Sequence, residues 1–263
     1  SSDMPEWDSS GMPSLNTTTN ISTLNLSTIY SRLIKFTATS TSTVINAGRL
    51  DWCIVQNGNT GACAGNVPSR NCSFSNTNTS FNSIIAPSND NIIYYNCRLA
   101  GNPNASAGDR RGFSSFFSSG REISIIKCTV INCPLTGIYA FGSGPSTYNI
   151  INTVIANCGD GIQSGNTSES TLLNIISCII VDNSGYGILE NNANMVFVQN
   201  SRLRNNSSGD ISTDENYPID FSNNTSSGTD FNEFVDATNF NYQVKAFSEI
   251  WNKGYGVSQQ TNP

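Results

Sequence analysis

Between residues 67 and 206 the apolar and polar positions fall into one short recurring pattern. An apolar pair is followed by a polar residue, usually Asn, then a small residue, then an aliphatic, with a second Asn soon after. The copies are Asn71-Cys72-Ser73-Phe74, Asn96-Cys97-Arg98-Leu99, Lys127-Cys128-Thr129-Val130, Asn152-Thr153-Val154-Ile155, Ser177-Cys178-Ile179-Ile180 and Asn200-Ser201-Arg202-Leu203. The small residues 72, 97, 128, 153, 178 and 201 stand 25, 31, 25, 25 and 23 positions apart. A period in the twenties is the mark of a stacked solenoid.

From Cys97 onward, apolar residues stand five and three places before each small residue and again two places after it. Examples are Ile123, Ile125 and Val130, then Tyr148, Ile150 and Ile155, then Leu173, Ile175 and Ile180. A spacing of two within each half is strand periodicity. The parity breaks between the halves, so the chain must bend there. Asn96, Asn152 and Asn200 hold that break and Asn71 matches them; Asn tolerates the left-handed backbone region that a tight bend needs. Asn132, Asn157, Asp182 and Asn205 follow the second strand. Gly137-Ile138, Gly161-Ile162 and Gly187-Ile188 then mark a turn into a third short strand.

Three short strands per winding, each paired with its equivalent one winding on, predict a single all-β domain, a parallel β-helix of seven to eight rungs of 22–25 residues. Cys72, Cys97, Cys128, Thr153, Cys178 and Ser201 are expected to stack in one inward column. A β-sandwich also has many short strands, but it does not place like residues at one slot every ~25 positions. Helix is disfavoured by the abundance of Asn, Ser, Thr, Gly and β-branched residues. Residues 1–45 are expected to form an N-terminal cap or an extended strand arm, because a bare solenoid end exposes unpaired backbone. If that arm paired with a neighbouring molecule instead, it would polymerise the protein. Residues 46–229 hold the rungs, with a loop insertion at 101–120, and 230–263 form a C-terminal cap.

The Asn column and the N-C-x-[IVL]-x-x-N units resemble the right-handed parallel β-helix superfamily, which includes pectate-lyase-like folds, phage tailspikes and bacterial surface proteins. The stretch Asp230-Phe231-Asn232-Glu233-Phe234-Val235-Asp236, with Asn241-Tyr242-Gln243-Val244 and Ile250-Trp251-Asn252-Lys253-Gly254, is similar to a segment that ends secreted bacterial β-helix repeats. Phe231 stands where that segment has Pro. The resemblance implies the fold; the fold itself hosts unrelated activities.

Composition narrows the function classes. Lys and Arg total 13 against 19 Asp and Glu, a net charge of −6 with no basic tract, which argues against nucleic-acid partners. No apolar run reaches the length of a membrane span. The chain begins Ser-Ser-Asp with neither Met nor a signal sequence, as in a processed mature protein or a trimmed one. Charged residues are only 12% and histidine is absent, so Asn, Ser and Thr must fill the surface. Such an exterior suits an extracellular or virion-surface solenoid that meets sugars or copies of itself. Eleven Asn-x-Ser/Thr sequons occur, about what this composition yields by chance, and they carry no inference about glycosylation.

The eight cysteines divide into two sets. Those in the inward column, with Cys53 joining Cys72, Cys97, Cys128 and Cys178, are explained as small buried hydrophobes. Cys133 and Cys158 share a slot one winding apart, and windings ~4.8 Å apart fall within the Cα range of a disulfide, so a cross-rung bond is expected there. Cys63 could pair with Cys53 or Cys72. With no Cys-x-x-Cys and no His, neither a metal site nor a cofactor is expected.

Histidine-based catalysis is excluded. The polygalacturonase motifs of this fold are not found; Asn157-Cys158-Gly159-Asp160-Gly161 only echoes one of them. Glycoside hydrolysis needs two carboxylates close together, and Asp160 with Asp182 is the best pair available. Lyase chemistry could draw on Asp109, Arg110 and Arg111, but no acidic cluster faces them. Tyr139, Phe141 and Tyr186, after the Gly-Ile turns, and Arg110 and Arg111 in the insertion are the candidate ligand contacts. The expectation is a non-enzymatic extracellular structural or adhesive rod that self-associates or meets surface polysaccharide. The alternatives are a polysaccharide-degrading enzyme or tailspike-like depolymerase, and a carbohydrate-binding module.

Overall fold

The computed structural model describes residues 14–16, 24–32, 35–38, 44–87, 91–106, 108, 110–117, 121–142, 146–164, 171–191, 195–212, 219–222, 234–236 and 241–244. Three parallel sheets wind round one core. The first has nine strands, from Ser14–Asn16 to Arg202–Arg204; the second has six, from Ser83–Ile85 to Gly209–Ser212; the third has nine, from Leu24–Arg32 to Ile219–Ser222. Among the described residues these counts differ slightly from the seven to eight rungs expected from the spacing. One winding shows the plan: Val154–Ala156 lies in the first sheet, Asp160–Ser164 in the second and Thr171–Ile176 in the third. Strands described between 14 and 38 join the same ladders, Lys35 pairing with Ile54 and Phe36 with Val55. Phe234–Asp236 and Asn241–Val244 form a separate antiparallel pair. The remaining parts of segments 1–45 and 230–263 lie outside the described residues.

Register is exact to one repeat. Val130 pairs with Ile155, Ile155 with Ile180 and Ile180 with Leu203, all fully buried. Tyr148, Leu173 and Val196 form a second inward row, and Ile138, Ile162 and Ile188 a third. Each large aliphatic so buried contributes about 1.5–3 kcal/mol of transfer free energy. The rod is therefore held by stacked like on like.

Both bends use left-handed backbone. At the first, φ lies between 51° and 57° at Trp52, Asn71, Asn96, Lys127, Asn152, Ser177 and Asn200; at the second, Asn132, Asn157, Asp182 and Asn205 lie between 52° and 60°. Amide side chains stack across windings: Asn96 Nδ2 donates to Asn71 Oδ1 at 2.8 Å and Asn157 Nδ2 to Asn132 Oδ1 at 2.7 Å.

The expected loop at 101–120 is corrected in part, because Arg111–Phe117 is a strand of the second sheet. Phe113 pairs with Ile138, so Gly112-Phe113 fills the Gly-Ile slot of later windings with an aromatic in place of Ile. A Cβ on Gly112 would stand 2.6 Å from Gly137 O, on Gly137 2.6 Å from Gly161 O, and on Gly161 2.5 Å from Gly187 O. The column must be glycine because each backbone touches the next.

The inward corner column does more than fill space. Side chains of Cys53, Cys72, Cys97, Cys128, Thr153, Cys178 and Ser201 each donate to the carbonyl two residues back, at 2.9–3.4 Å. They also accept from the winding before: Cys128 N donates to Thr153 Oγ1 at 3.3 Å and Cys178 N to Ser201 Oγ at 3.1 Å. The column thus requires a small group that both gives and takes a hydrogen bond, which thiol and hydroxyl satisfy and an alkyl group does not.

The expected disulfides are also corrected, since all eight cysteines are buried free thiols. Cys133 Sγ donates to Ile131 O at 3.3 Å and Cys158 Sγ to Ala156 O at 3.4 Å. In-register windings point equivalent side chains in parallel, so their Cβ atoms stay about one winding (~4.8 Å) apart, beyond the ~3.5–4.5 Å a disulfide spans. The same slot holds Asn183 and Asn206 further on, and Cys158 N donates to Asn183 Oδ1 at 2.9 Å. Cys63 is likewise a thiol, donating to Ser75 O at 3.1 Å.

Candidate functional site

The two candidate carboxylates sit at different places on the winding. Asp182 takes the second-bend slot of Asn157 and accepts from Asn205 Nδ2 at 3.1 Å. Asp160 opens a strand of the second sheet, opposite Thr136, and its Oδ1 accepts from Tyr186 N at 2.8 Å. Gly185 leaves room for that contact, since a Cβ there would meet Asp160 Oδ1 at 2.2 Å. Burial pushes both carboxyls above the usual carboxylate value; the Tyr186 N–H opposes this at Asp160, and Asn205 and the Arg204 charge oppose it at Asp182. Each therefore closes a local hydrogen bond between windings. Asp182 stands at the second bend and Asp160 at the start of a second-sheet strand, in different rows.

Asp182 does border a shallow polar cleft of about 270 Å³ at the second bend, with Pro103, Pro134, Asn157, Asn183 and Ser207 also on its wall. Asp160 is not on that wall. Among the described residues no group of three or more Cys, Asp or Glu is placed to hold a metal ion, and no helix is long and apolar enough to cross a membrane.

The candidate ligand contacts separate into two places. Arg111 lies over the Tyr139 ring with its guanidinium carbon 3.8 Å from the centroid, and Tyr139 stacks on Phe141 at 5.7 Å with ring planes 20° apart. These three half-buried groups cluster on the second sheet, while Ile138 and Ala140, on either side of Tyr139, point into the core. Tyr186 stands alongside Asp160, in the backbone row that also holds Thr136 and Arg111, whereas Tyr139 and Phe141 lie further along their strand. Arg110 has φ 47° and is held by its own loop, Nε donating to Gly108 O at 3.2 Å. Asp109 lies outside the described residues. Sequence reasoning named Tyr139, Phe141 and Arg111 separately; only the register of Arg111–Phe117 beside Thr136–Gly142 shows that they meet.

The fold and its repeating bends define a parallel β-solenoid. The sequence matches the family model described as right handed beta helix region over residues 112–258, more than half of its length, and the chain belongs to that family. No curated protein matches it. Among solved structures, the crystal structure of pectate lyase Pel9A aligns over 90% of this chain and 80% of that one, at 13% identity and a TM-score of 0.49.

Proposed function

We propose that this β-helix is a non-enzymatic structural or adhesive rod of the extracellular, cell or virion surface, acting through self-association or contact with surface polysaccharide. The observation that carries this reading is the use of Asp160 and Asp182, each committed to a bond between windings and placed in different rows. A hydrolase would need such carboxylates to flank one substrate bond. The low charge and the Asn, Ser and Thr content add to it. Negative-stain microscopy and light scattering of purified protein should show filaments or higher oligomers, and incubation with a panel of acidic and neutral polysaccharides should release no reducing ends or unsaturated products. Product release that is lost on Asp160→Asn or Asp182→Asn would replace this reading with the enzymatic one.

The Arg111–Tyr139–Phe141 patch favours polysaccharide as the contact. Stacked aromatics flanked by a guanidinium offer a sugar an apolar face and a hydrogen-bond donor side by side. Binding on a glycan array that is lost with Phe141→Ala and kept with Tyr186→Ala is the expected result.

A further inference from the structure

The amide ladder of the second bend has a rung with no hydrogen in it. Where such ladder bonds form, their direction is the same: an Asn amide donates to the side-chain oxygen one winding earlier. Asn96 does so to Asn71, Asn157 to Asn132 and Asn205 to Asp182. By that direction the residue at 182 should donate to Asn157 Oδ1. Aspartate stands there instead, and an ionised carboxylate only accepts. Its Oδ1 takes the Asn205 amide. Among the described residues nothing donates to Asp182 Oδ2 or to Asn157 Oδ1. Two acceptors one winding (~4.8 Å) apart are thus left without donors. The rung is open rather than sealed, since both residues line the polar cleft of about 270 Å³. Ser207 adds an exposed hydroxyl to the same wall, and Pro103 and Pro134 add apolar surface. Asn183 is already committed, its oxygen to Cys158 N and its amide to Asn206.

We propose that this cleft is a subsite for one neutral sugar ring, whose hydroxyls supply the missing hydrogens. The subsite rests on the polysaccharide contact proposed above and adds a second place to it, apart from Arg111, Tyr139 and Phe141. Two hydroxyls on neighbouring ring carbons can each donate over about 2.7–2.8 Å to acceptors spaced like these. The prolines give the C–H face of the ring an apolar partner, and small-ligand clefts commonly join such a wall to a few convergent polar groups. The volume lies just below the usual range of such clefts (~300–1,000 Å³), which suits a single ring rather than a length of chain. A cation is a poorer match. The Arg204 charge already acts on Asp182, and a second positive group would be repelled by it. An acidic sugar would in turn be repelled by Asp182 itself.

Saturation-transfer NMR on the full chain at pH 7 tests this, with the methyl glycosides of glucose, galactose and mannose, and glucosamine, as probes. At least one neutral glycoside should take up saturation from the wild-type protein and from Phe141→Ala. Asp182→Asn should lose that signal while its urea midpoint holds or rises, because the new amide donates to Asn157 Oδ1 and closes the rung. Ser207→Trp, at an exposed wall position, should fill the cleft and lose the signal as well. A signal that survives either change, stronger binding of glucosamine, or no signal with any probe overturns the subsite. Polysaccharide binding on the glycan array that is lost with Phe141→Ala would, in each of those cases, leave the wider reading standing.

Discussion

At the scale of single residues, the molecule is organised by what each slot must donate or accept. Thr153 shows the rule, since its hydroxyl takes the Cys128 N–H and gives to a carbonyl. Thr153→Val keeps the shape and orphans a buried N–H, so it should cost about 1–3 kcal/mol, read as a lowered urea midpoint; Thr153→Ser should cost far less. The first bend offers the reverse experiment. Asn152 Oδ1, Ser177 Oγ and Asn200 Oδ1 are buried without a hydrogen-bond partner, because Ser177 is too short to bridge its neighbours as Asn96 bridges to Asn71. Ser177→Asn restores the ladder in a left-handed position that Asn suits (φ 55°), and should stabilise by about 1 kcal/mol per bond formed. The recurring Asn residues made this bend legible from sequence alone. Trp52, Lys127 and Ser177 occupy it too, and nothing in their own chemistry announced a positive φ; only the register does.

At the scale of elements, strands are fixed by how closely one winding lies on the next. Gly161→Ala would put a methyl group 2.5 Å from Gly187 O and 2.6 Å from Ile180 Cγ2. Neither neighbour is a flexible side-chain tip, so the windings must part, at about 1–3 kcal/mol, seen as a fall in denaturation midpoint. The second-sheet strand that opens with Asp160 carries a pH signature. Its carboxyl is raised by burial, so its contribution to stability is present below the unfolded pKa and lost as pH rises through the folded one. Asp160→Asn keeps the acceptor for Tyr186 N and removes the charge. Its thermal midpoint should rise at pH 7, with the gain gone by pH 3. The Gly-Ile turns made this sheet visible in the sequence. Gly112-Phe113 escaped because the aromatic broke the Ile pattern, and the 31-residue step from Cys97 to Cys128 looked like a loop when it holds a strand.

At the scale of the whole molecule, repetition gave the fold away, whereas the site left no such trace because the groups that meet on the surface, Arg111 with Tyr139, are 28 positions apart and belong to no repeated motif. The open rung at the second bend was equally hidden, since Asp182 reads as an ordinary turn residue until the bonds of Asn157 and Asn205 are known. The interior also sets the reactivity of the protein. Burial pushes the Cys63 and Cys178 thiols up to about 12, and Cys97 and Cys133 are pushed up by the same cause. Because all eight thiols are buried out of the reagent's reach, native protein should leave an aromatic disulfide reagent such as DTNB unreduced at pH 8, and unfolded protein should release colour from all eight.

Pairing that holds over a fixed repeat has a genetic corollary. A DNA slip that copies 75 base pairs in frame across Asn152–Ile176 would add one more storey of the same plan, with Asn, Thr, Gly and Ile arriving already in place. Length in such a rod is a count of modules, so lineages carrying this chain can grow or shorten it by whole storeys without redesigning what lies above or below.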